Sequence, residues 1–193
     1  MWLAATRVST APGSIVAPTL EGSRPILVEV QALTSPTGYG TPTRKASGLD
    51  PNRLSLLIAV LGRRAGLSLG SHDVYANLAG GLAVMEPGLD LPVALALASS
   101  LRDRQIARGT VAIGEVGLLG ELRAVVGLER RLREASRLGF ARAIVPRSSS
   151  GAALARMEGL EVVTVETLAE AIKVTLADGS MAPHGEAVPA MLG

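Results

Sequence analysis

The stretch that decides the fold runs from Asp73 to Ser100 and reads DVYANLAGGLAVMEPGLDLPVALALASS. Its first half predicts a strand from Asp73 to about Val84, followed by a tight connection at Glu86-Pro87-Gly88. Asp90 is a favourable N-cap residue, so we expect a buried helix of small apolar residues from Leu91 to Arg102. Many folds place a nucleophile or an anion site where a strand delivers a sharp loop to a helix. The residues of this loop therefore decide whether the chain carries such chemistry.

The residues before this stretch predict two strands, a loop and a helix. Ser14–Ala17 and Pro25–Leu33 are apolar segments, and Glu21-Gly22-Ser23 between them favours a hairpin turn. Residues 34–48 are rich in Ser, Pro, Thr and Gly, which predicts a long loop of the kind that often carries function. Asp50-Pro51 is a helix start, and the apolar spacing that follows it extends to about Gly66.

The residues after it alternate between strand and helix patterns. We predict a strand at Thr110–Gly114, a hairpin leading to Leu122–Val126, a helix at Leu128–Leu138, a strand at Ala141–Val145, a short helix at Ser150–Met157, a strand at Leu160–Val165 and a closing helix at Leu168–Leu176. In the first of these helices the apolar residues share one face, and Arg130, Arg131, Arg133 and Arg137 are expected largely elsewhere. The alternation predicts an α/β fold with a mixed sheet. We expect one domain over residues 13–176, between a flexible leader (1–12) and a disordered tail (177–193).

Composition limits what the core and the sites can be made of. Apolar residues make up 48% of the 193 residues but aromatic residues only 2%, so the core must be built from Leu, Val, Ile and Ala. With no cysteine, disulfides and thiolate metal sites are excluded. No apolar run approaches the length of a membrane span, and the opening Met1–Arg7 is too short for a signal peptide. We therefore expect a cytoplasmic protein without a membrane partner.

The basic residues form two candidate surfaces, although the formal net charge is only +2. Lys45 and Lys173 are the only lysines among 19 basic residues, and the other 17 are arginine, which suits phosphate recognition. The first surface comprises Arg44, Lys45, Arg53, Arg63 and Arg64, and the second comprises Arg102, Arg104, Arg108 and the arginines of the 128–138 helix. The first brackets the predicted loop and is the candidate surface for binding a nucleic-acid backbone. Because base-stacking aromatics are nearly lacking, such binding would be to the phosphate backbone and independent of sequence. A solvated face is the alternative for both surfaces.

The sequence lacks the common motifs for nucleotide binding, nucleophilic catalysis and metal binding. Neither lysine follows a glycine and precedes Ser or Thr, so there is no Walker loop for ATP. The glycines at 114, 117 and 120 have the wrong spacing for a dinucleotide fingerprint. His72 and His184 have no evident catalytic partner, and no His or Cys cluster suggests a metal site. Glu86 and Asp90 could form a paired-carboxylate site, but a turn residue and a helix cap explain them more simply.

Several segments together resemble one family. They are LEGSRP at 20–25 with VEVQAL at 28–33, Asn52-Arg53-Leu54, DVYANLAGG at 73–81, GEVGLLGELR at 114–123, and LERRLREA at 128–135 followed by Gly139-Phe140 and Ile144-Val145-Pro146. Over residues 13–175 the chain is similar to the C-terminal, Lon-protease-like domain of the RadA (Sms) family of bacterial DNA repair proteins. The resemblance implies the Lon proteolytic-domain fold, which is related to the ribosomal S5 domain 2-like fold.

The resemblance also implies where a catalytic pair would stand. Lon proteases carry a serine just after Gly-Pro in the central turn and a lysine just after Gly-Leu at the start of a later helix. In this chain the serine position is Gly88 and the lysine position is Glu129. Neither residue can perform its part, so we expect no catalytic residues and no peptidase activity through a Ser–Lys dyad. A rewired Ser–Lys peptidase of the Lon type is the enzyme alternative.

The resemblance also implies further domains that whole family members carry upstream of this one. Whole RadA proteins resemble RecA in an ATPase domain that follows a zinc finger, so ATP, magnesium and zinc are expected only there and no cofactor is expected in this chain. We expect either an excised domain or a short gene product. The resemblance implies a scaffold in a homo-hexameric ring that binds DNA and promotes branch migration in recombination, with a RecA-type recombinase as a further partner. A purely structural ring-forming module without DNA contact is the remaining alternative.

Overall fold

A mixed sheet with helices on both faces organises the chain in the computed structural model, which describes residues 11–149 and 157–177. The strands in chain order are β1 (Ser14–Glu21), β2 (Arg24–Pro36), β3 (Arg44–Ser47), β4 (His72–Leu78), β5 (Thr110–Ala112), β6 (Glu115–Val116), β7 (Leu122–Arg123), β8 (Arg142–Pro146) and β9 (Glu161–Val165). The helices are α1 (Pro51–Arg64), α2 (Asp90–Arg102), α3 (Leu128–Arg137) and α4 (Leu168–Ala177). The predicted mixed α/β fold is confirmed.

The order of the main sheet is β3-β4-β2-β1-β5-β8-β9. β1 and β2 form the predicted hairpin, with Glu21 paired to Arg24 across a two-residue turn. β4 lies antiparallel to β2, whereas β3 is parallel to β4 and forms one edge. The other half, β1-β5-β8-β9, is parallel throughout. β6 and β7 form a separate short hairpin, which is smaller than the predicted one.

Two predictions around the edge strand are wrong. Residues 34–48 are not one long loop, because β2 continues to Pro36 and residues 44–47 form β3, whose backbone pairs with β4. The strand predicted over Asp73–Val84 stops at Leu78. Gly80 and Gly81 follow with φ values of 83° and 70°, and this left-handed backbone turns the chain out of the sheet. The segment between β4 and α2 is consequently a set of turns and not a strand.

The core has two parts, one on each face of the sheet. Because neighbouring side chains of a strand point to opposite faces, Ile15 and Ala17 of β1 pack with α1, α2 and α4, whereas Val16 packs with α3. α2 is buried nearly all round, since Leu91 and every residue from Val93 to Ala98 are at most 3% exposed and Pro92 is also buried. Its alanines let neighbouring elements approach closely, which explains a core with so few aromatic residues.

Some predictions fall on residues outside the described ranges. These are most of the leader, all but the last residue of the short helix predicted at Ser150–Met157, and the tail from 178 onward, including His184. In the part of the chain that the structure describes, no helix has the length and apolarity that crossing a membrane requires.

Gly48 joins β3 to the loop before α1 in a position that no other residue can occupy without strain. Its φ is +74°, and a Cβ added there would lie 2.1 Å from the carbonyl oxygen of Leu82. Its own carbonyl accepts a hydrogen bond from the N–H of Val84 at 2.9 Å. This contact ties the edge strand to the segment that leads into the turn before α2 (Pro87–Leu89), which we call the central turn.

We expect Gly48→Ala to lower the free energy of unfolding by about 3 kcal/mol, because it combines a left-handed backbone with a backbone clash. The matched control is Gly22→Ala in the β1–β2 turn, where φ is +61° but no atom lies within 4 Å of the added Cβ. There only the backbone preference is lost, at about 1–2 kcal/mol. Urea unfolding followed by circular dichroism measures both, and equal losses would contradict the clash.

Candidate functional site

The turn that precedes α2 is held by backbone contacts to the end of β5. Residues Pro87–Leu89 form a single 3₁₀ turn in which Gly88 and Leu89 are buried. The N–H of Gly114 donates to the carbonyl of Gly88 at 2.9 Å, and the N–H of Leu91 donates to the carbonyl of Gly114 at 3.0 Å. These reciprocal bonds fix the turn against the sheet, so the side chains that flank it have defined positions.

Asp90 is the first residue of α2 and not its N-cap, which is Leu89. The predicted capping role is therefore wrong. Its carboxylate is 3% exposed and binds Arg53 of α1 with both oxygens, one of them 3.1 Å from Nε. It also accepts a hydrogen bond from the N–H of Val116 in β6 at 3.1 Å. Asp90 thus joins α1, α2 and the small hairpin.

Burial and the ion pair act in opposite directions on this carboxylate. Burial raises the pKa of Asp90 above its ordinary value, and the hydrogen bonds from Arg53 and from the Val116 N–H oppose that rise. The hydrogen bond to Asp90 raises the pKa of Arg53, which stays charged. Arg53 also donates to the carbonyl of Val116 at 3.3 Å. Its guanidinium is therefore part of an internal network.

Glu86, on the other flank of the turn, is bound by Arg131 of α3. The two guanidinium nitrogens of Arg131 lie 2.7 and 2.8 Å from the two carboxylate oxygens. Arg131 also donates to the carbonyls of Pro18 at 3.1 Å and Val126 at 3.0 Å. The hydroxyl of Thr19 donates to the same carboxylate. This network satisfies an arginine that is only 3% exposed.

The burial of Arg131 corrects the prediction that it lies off the apolar face of its helix. Leu128, Arg131 and Ala135 are spaced three and four residues apart and are all buried. That spacing indicates a buried position for Arg131, but arginines usually face solvent, so the residue type argues against the position. Thr19 was also missed, because a threonine in a strand is an ordinary β-former.

The two arginines leave no paired-carboxylate site at the turn. Each carboxylate that flanks Gly88 has its own guanidinium partner, so neither shares a proton with the other. Among the described residues no group of three or more His, Cys, Asp or Glu side chains comes close enough to hold a metal ion. The arrangement is suited to fixing the turn.

The two positions at which the Lon resemblance predicts a degenerate dyad differ in their surroundings. A Cβ added to Gly88 would lie 3.0 Å from Cδ1 of Ile113 and 3.1 Å from Cγ1 of Val125, so apolar side chains already fill that direction. Glu129, at the start of α3, is exposed and pairs with Arg133 one turn along the helix. Its carboxylate therefore takes part in a surface ion pair.

The basic residues of the first candidate surface do not form one cluster. Arg44 and Lys45 are neighbours in β3, so their side chains leave opposite faces of the sheet. Arg44 lines a groove beside α1 with Ser55 and Gly62, and its guanidinium is 3.5 Å from the carbonyl of Leu69. Arg53 faces away from this groove, roughly half a turn around the α1 axis.

Lys45, Arg63 and Arg64 are exposed, and none of them forms an ion pair with another described residue. Arg64 lies 11 residues after Arg53, which places it about 16 Å further along the α1 axis. The structure thus separates the five predicted DNA-binding residues into an edge-strand pair, a half-buried arginine paired with Asp90 and a pair at the end of α1. Their role in DNA binding stays a prediction.

A small apolar pocket lies beside the central turn. Its volume is about 160 Å³, and its apolar lining includes Leu54, Leu57, Val84, Leu89 and Val93. The side chain of Met85 at this pocket is 67% exposed. Arg53 and Asp90 contribute to one wall. The sequence pattern did not predict this pocket, because its lining comes from α1, α2 and the turns between them.

Comparison with known proteins gives two kinds of similarity. A family model described as subunit ChlI of Mg-chelatase matches residues 57–149. DNA repair protein RadA of Halalkalibacterium halodurans is 46% identical over 88% of this chain and 37% of its own length. The protein of the same name from Aquifex aeolicus is 46% identical over 86% and 36%, and that from Bacillus subtilis is 45% identical over 88% and 37%. The chain thus spans little more than a third of these curated relatives.

We expect Glu86→Gln to lower the free energy of unfolding by about 2 kcal/mol, because it leaves the buried Arg131 without a counter-charge. Glu129→Gln is the matched control, since it removes the same charge from an exposed i,i+4 pair. It should cost less than about 0.5 kcal/mol. Urea unfolding at neutral pH measures both. A loss for Glu86→Gln no larger than that of the control would show that the turn is held by its backbone alone.

Proposed function

This chain is homologous to a segment of the RadA family of DNA repair proteins, and from that premise we propose that it is a non-catalytic scaffold and DNA-binding platform. The arrangement of the central turn is the observation that supports a non-catalytic role. Gly88 has no side chain, apolar groups fill the space in front of it, and both flanking carboxylates are bound by arginines. A nucleophile and a general base need to be free and within hydrogen-bond reach.

The proposed DNA contacts are to phosphates and come from exposed cations. Lys45, Arg63 and Arg64 are available for this role, and Arg44 is exposed beside its groove. Arg53 was part of the predicted set, but its guanidinium is committed to Asp90 and to the Val116 carbonyl. We therefore assign the phosphate contacts to the edge strand and to the end of α1. Without aromatic side chains on these elements, such binding would carry little sequence preference.

The wider role follows from the family resemblance. We propose that the domain holds a homo-hexameric ring, and that the ring drives branch migration of recombination intermediates with ATP, magnesium and zinc bound in upstream domains. A RecA-type recombinase is the proposed partner of the whole assembly. In this proposal the present chain supplies assembly and backbone contact.

One observation favours a second candidate, a structural module that touches no DNA. β3 is an edge strand, and charged residues on edge strands prevent unwanted pairing with other chains. Arg44 and Lys45 could serve that purpose alone. A charge reversal separates the two functions, because glutamates protect an edge as well as cations do but repel phosphates.

We expect Arg44→Glu with Lys45→Glu to weaken binding of duplex DNA at least tenfold at 100 mM salt. The slope of log K against log salt should fall by about one unit per lost phosphate contact. Fluorescence anisotropy with a labelled duplex over a salt series measures both quantities. Unchanged affinity and slope would remove the edge strand from the proposed DNA surface.

Arg130→Glu with Arg133→Glu on α3 is the matched control, since it changes the net charge equally and alters exposed residues of the second candidate surface. It should leave the affinity within about twofold, apart from the general electrostatic effect. A larger loss in this control than in the edge-strand variant would move the DNA site to α3.

We expect no turnover of casein or of small ester substrates at high protein concentration, because Gly88 and Glu129 cannot form a Ser–Lys dyad. The measurement is product release over several hours, with and without a serine-directed inhibitor. Turnover that such an inhibitor abolishes would establish the Lon-type peptidase alternative.

A further inference from the structure

The tip of the β6–β7 hairpin presents two leucines to solvent from a tight turn. Leu118 and Leu119 are 68% and 71% exposed, and they are the central residues of the turn Gly117–Gly120. The N–H of Gly120 donates to the carbonyl of Gly117 at 3.0 Å, which closes the turn. Polar residues, Gly and Pro are the commonest at central turn positions, so two leucines there leave an exposed apolar patch at the tip of the hairpin.

This turn is braced by the residue that follows it. The carboxylate of Glu121 accepts a hydrogen bond from the N–H of Leu119 at 3.0 Å and lies 2.6 Å from the guanidinium of Arg123. The Glu121 carbonyl accepts from the N–H of Gly117 at 2.9 Å. A braced turn loses little conformational entropy when it binds, which favours its use in an interface. We call Leu118 and Leu119 with their turn the leucine turn.

The pocket beside the central turn has the size and chemistry that a leucine side chain requires. Its volume is about 160 Å³, and an apolar cavity of about 150 Å³ holds a group the size of benzene. Leu54, Leu57 and Val93 supply an apolar lining. Met85 at this pocket is exposed and unbranched, so it can adapt to an inserted group.

The leucine turn and the pocket lie at different ends of the same helix. The pocket uses the first two turns of α1, whereas Gly120 of the leucine turn abuts the Cβ of Arg64 in its last turn. These ends are about 16 Å apart along the α1 axis. A contact between two different patches of identical chains is heterologous, and it repeats around a ring when its rotation closes.

We propose that the leucine turn of one copy inserts into the pocket of a second copy of this chain. This inference rests on the proposed scaffold function and names the residues that would build the assembly. Two complementary patches on the same chain favour a second copy over an unrelated partner. Burial of a leucine side chain in the pocket supplies the driving force, and the arginine–carboxylate pair of Arg53 and Asp90 keeps the wall of the pocket in place.

The test is sedimentation velocity of the full 193-residue chain over a concentration series. We expect the wild-type chain to self-associate. Leu118→Asp with Leu119→Asp removes the insert, and Met85→Lys places a charge at the pocket, so each should weaken association at least tenfold. Leu33→Asp is the matched control, because Leu33 is 62% exposed in β2 and belongs to neither patch. It should associate as the wild type does.

Mixing the two defective variants gives a sharper result. The leucine-turn variant keeps an intact pocket and the Met85→Lys variant keeps an intact leucine turn. Their mixture should therefore form a 1:1 complex at a concentration where each alone is monomeric. A mixture that stays monomeric, or variants that associate as tightly as the wild type, would overturn the contact.

The same measurements separate this proposal from the wider one. Wild-type association that the variants leave unchanged overturns the leucine contact alone and keeps a scaffold role. A wild-type chain that is monomeric at every concentration overturns both the contact and the scaffold role. Circular dichroism and thermal melting of each variant show that loss of association is not loss of folding.

Discussion

Two arginine–carboxylate pairs on opposite sides of the sheet hold the turn before α2, and the rest of the site depends on them. Arg53 reaches Asp90 from α1, and Arg131 reaches Glu86 from α3. α1 and α3 pack on different faces of the sheet, so the turn between the two carboxylates is fastened from both layers. Buried charges are costly unless they are paired with good geometry. Removal of either partner would leave a buried charge unpaired, so the pairs hold the turn in one position.

The same backbone turn that could present a nucleophile in another protein can instead link two layers of a domain. The backbone still makes the sharp entry into α2 that a nucleophile would need, through the bonds between Gly88 and Gly114. The side-chain positions around it are used differently, because Ile113 and Val125 occupy the space in front of Gly88. In the proposed function the turn links the two layers of the domain.

The small β6–β7 hairpin connects the internal network with the surface. At its base the backbone of Val116 binds both Arg53 and Asp90, and at its tip the leucine turn faces solvent. A shift of the central turn would change the hydrogen bonds that Asp90 and Arg53 make with Val116 at the base of this hairpin. The position of the leucine turn, and with it the proposed contact between copies, would therefore depend on the same ion pair that orders the candidate site.

Short-range sequence patterns are sufficient to predict the local elements, whereas the partners of the charged residues depend on contacts that only the folded chain makes. The β1–β2 hairpin, the start of α1 at Asp50-Pro51 and the buried α2 follow from short-range patterns, and all three are confirmed. β3 was missed because a short edge strand is stabilised only by its pairing with β4. The ion pairs were missed because Arg53 lies 37 residues from Asp90 and Arg131 lies 45 residues from Glu86. Periodicity records which face of an element is apolar, whereas a buried charge is tolerated only where the fold brings its partner.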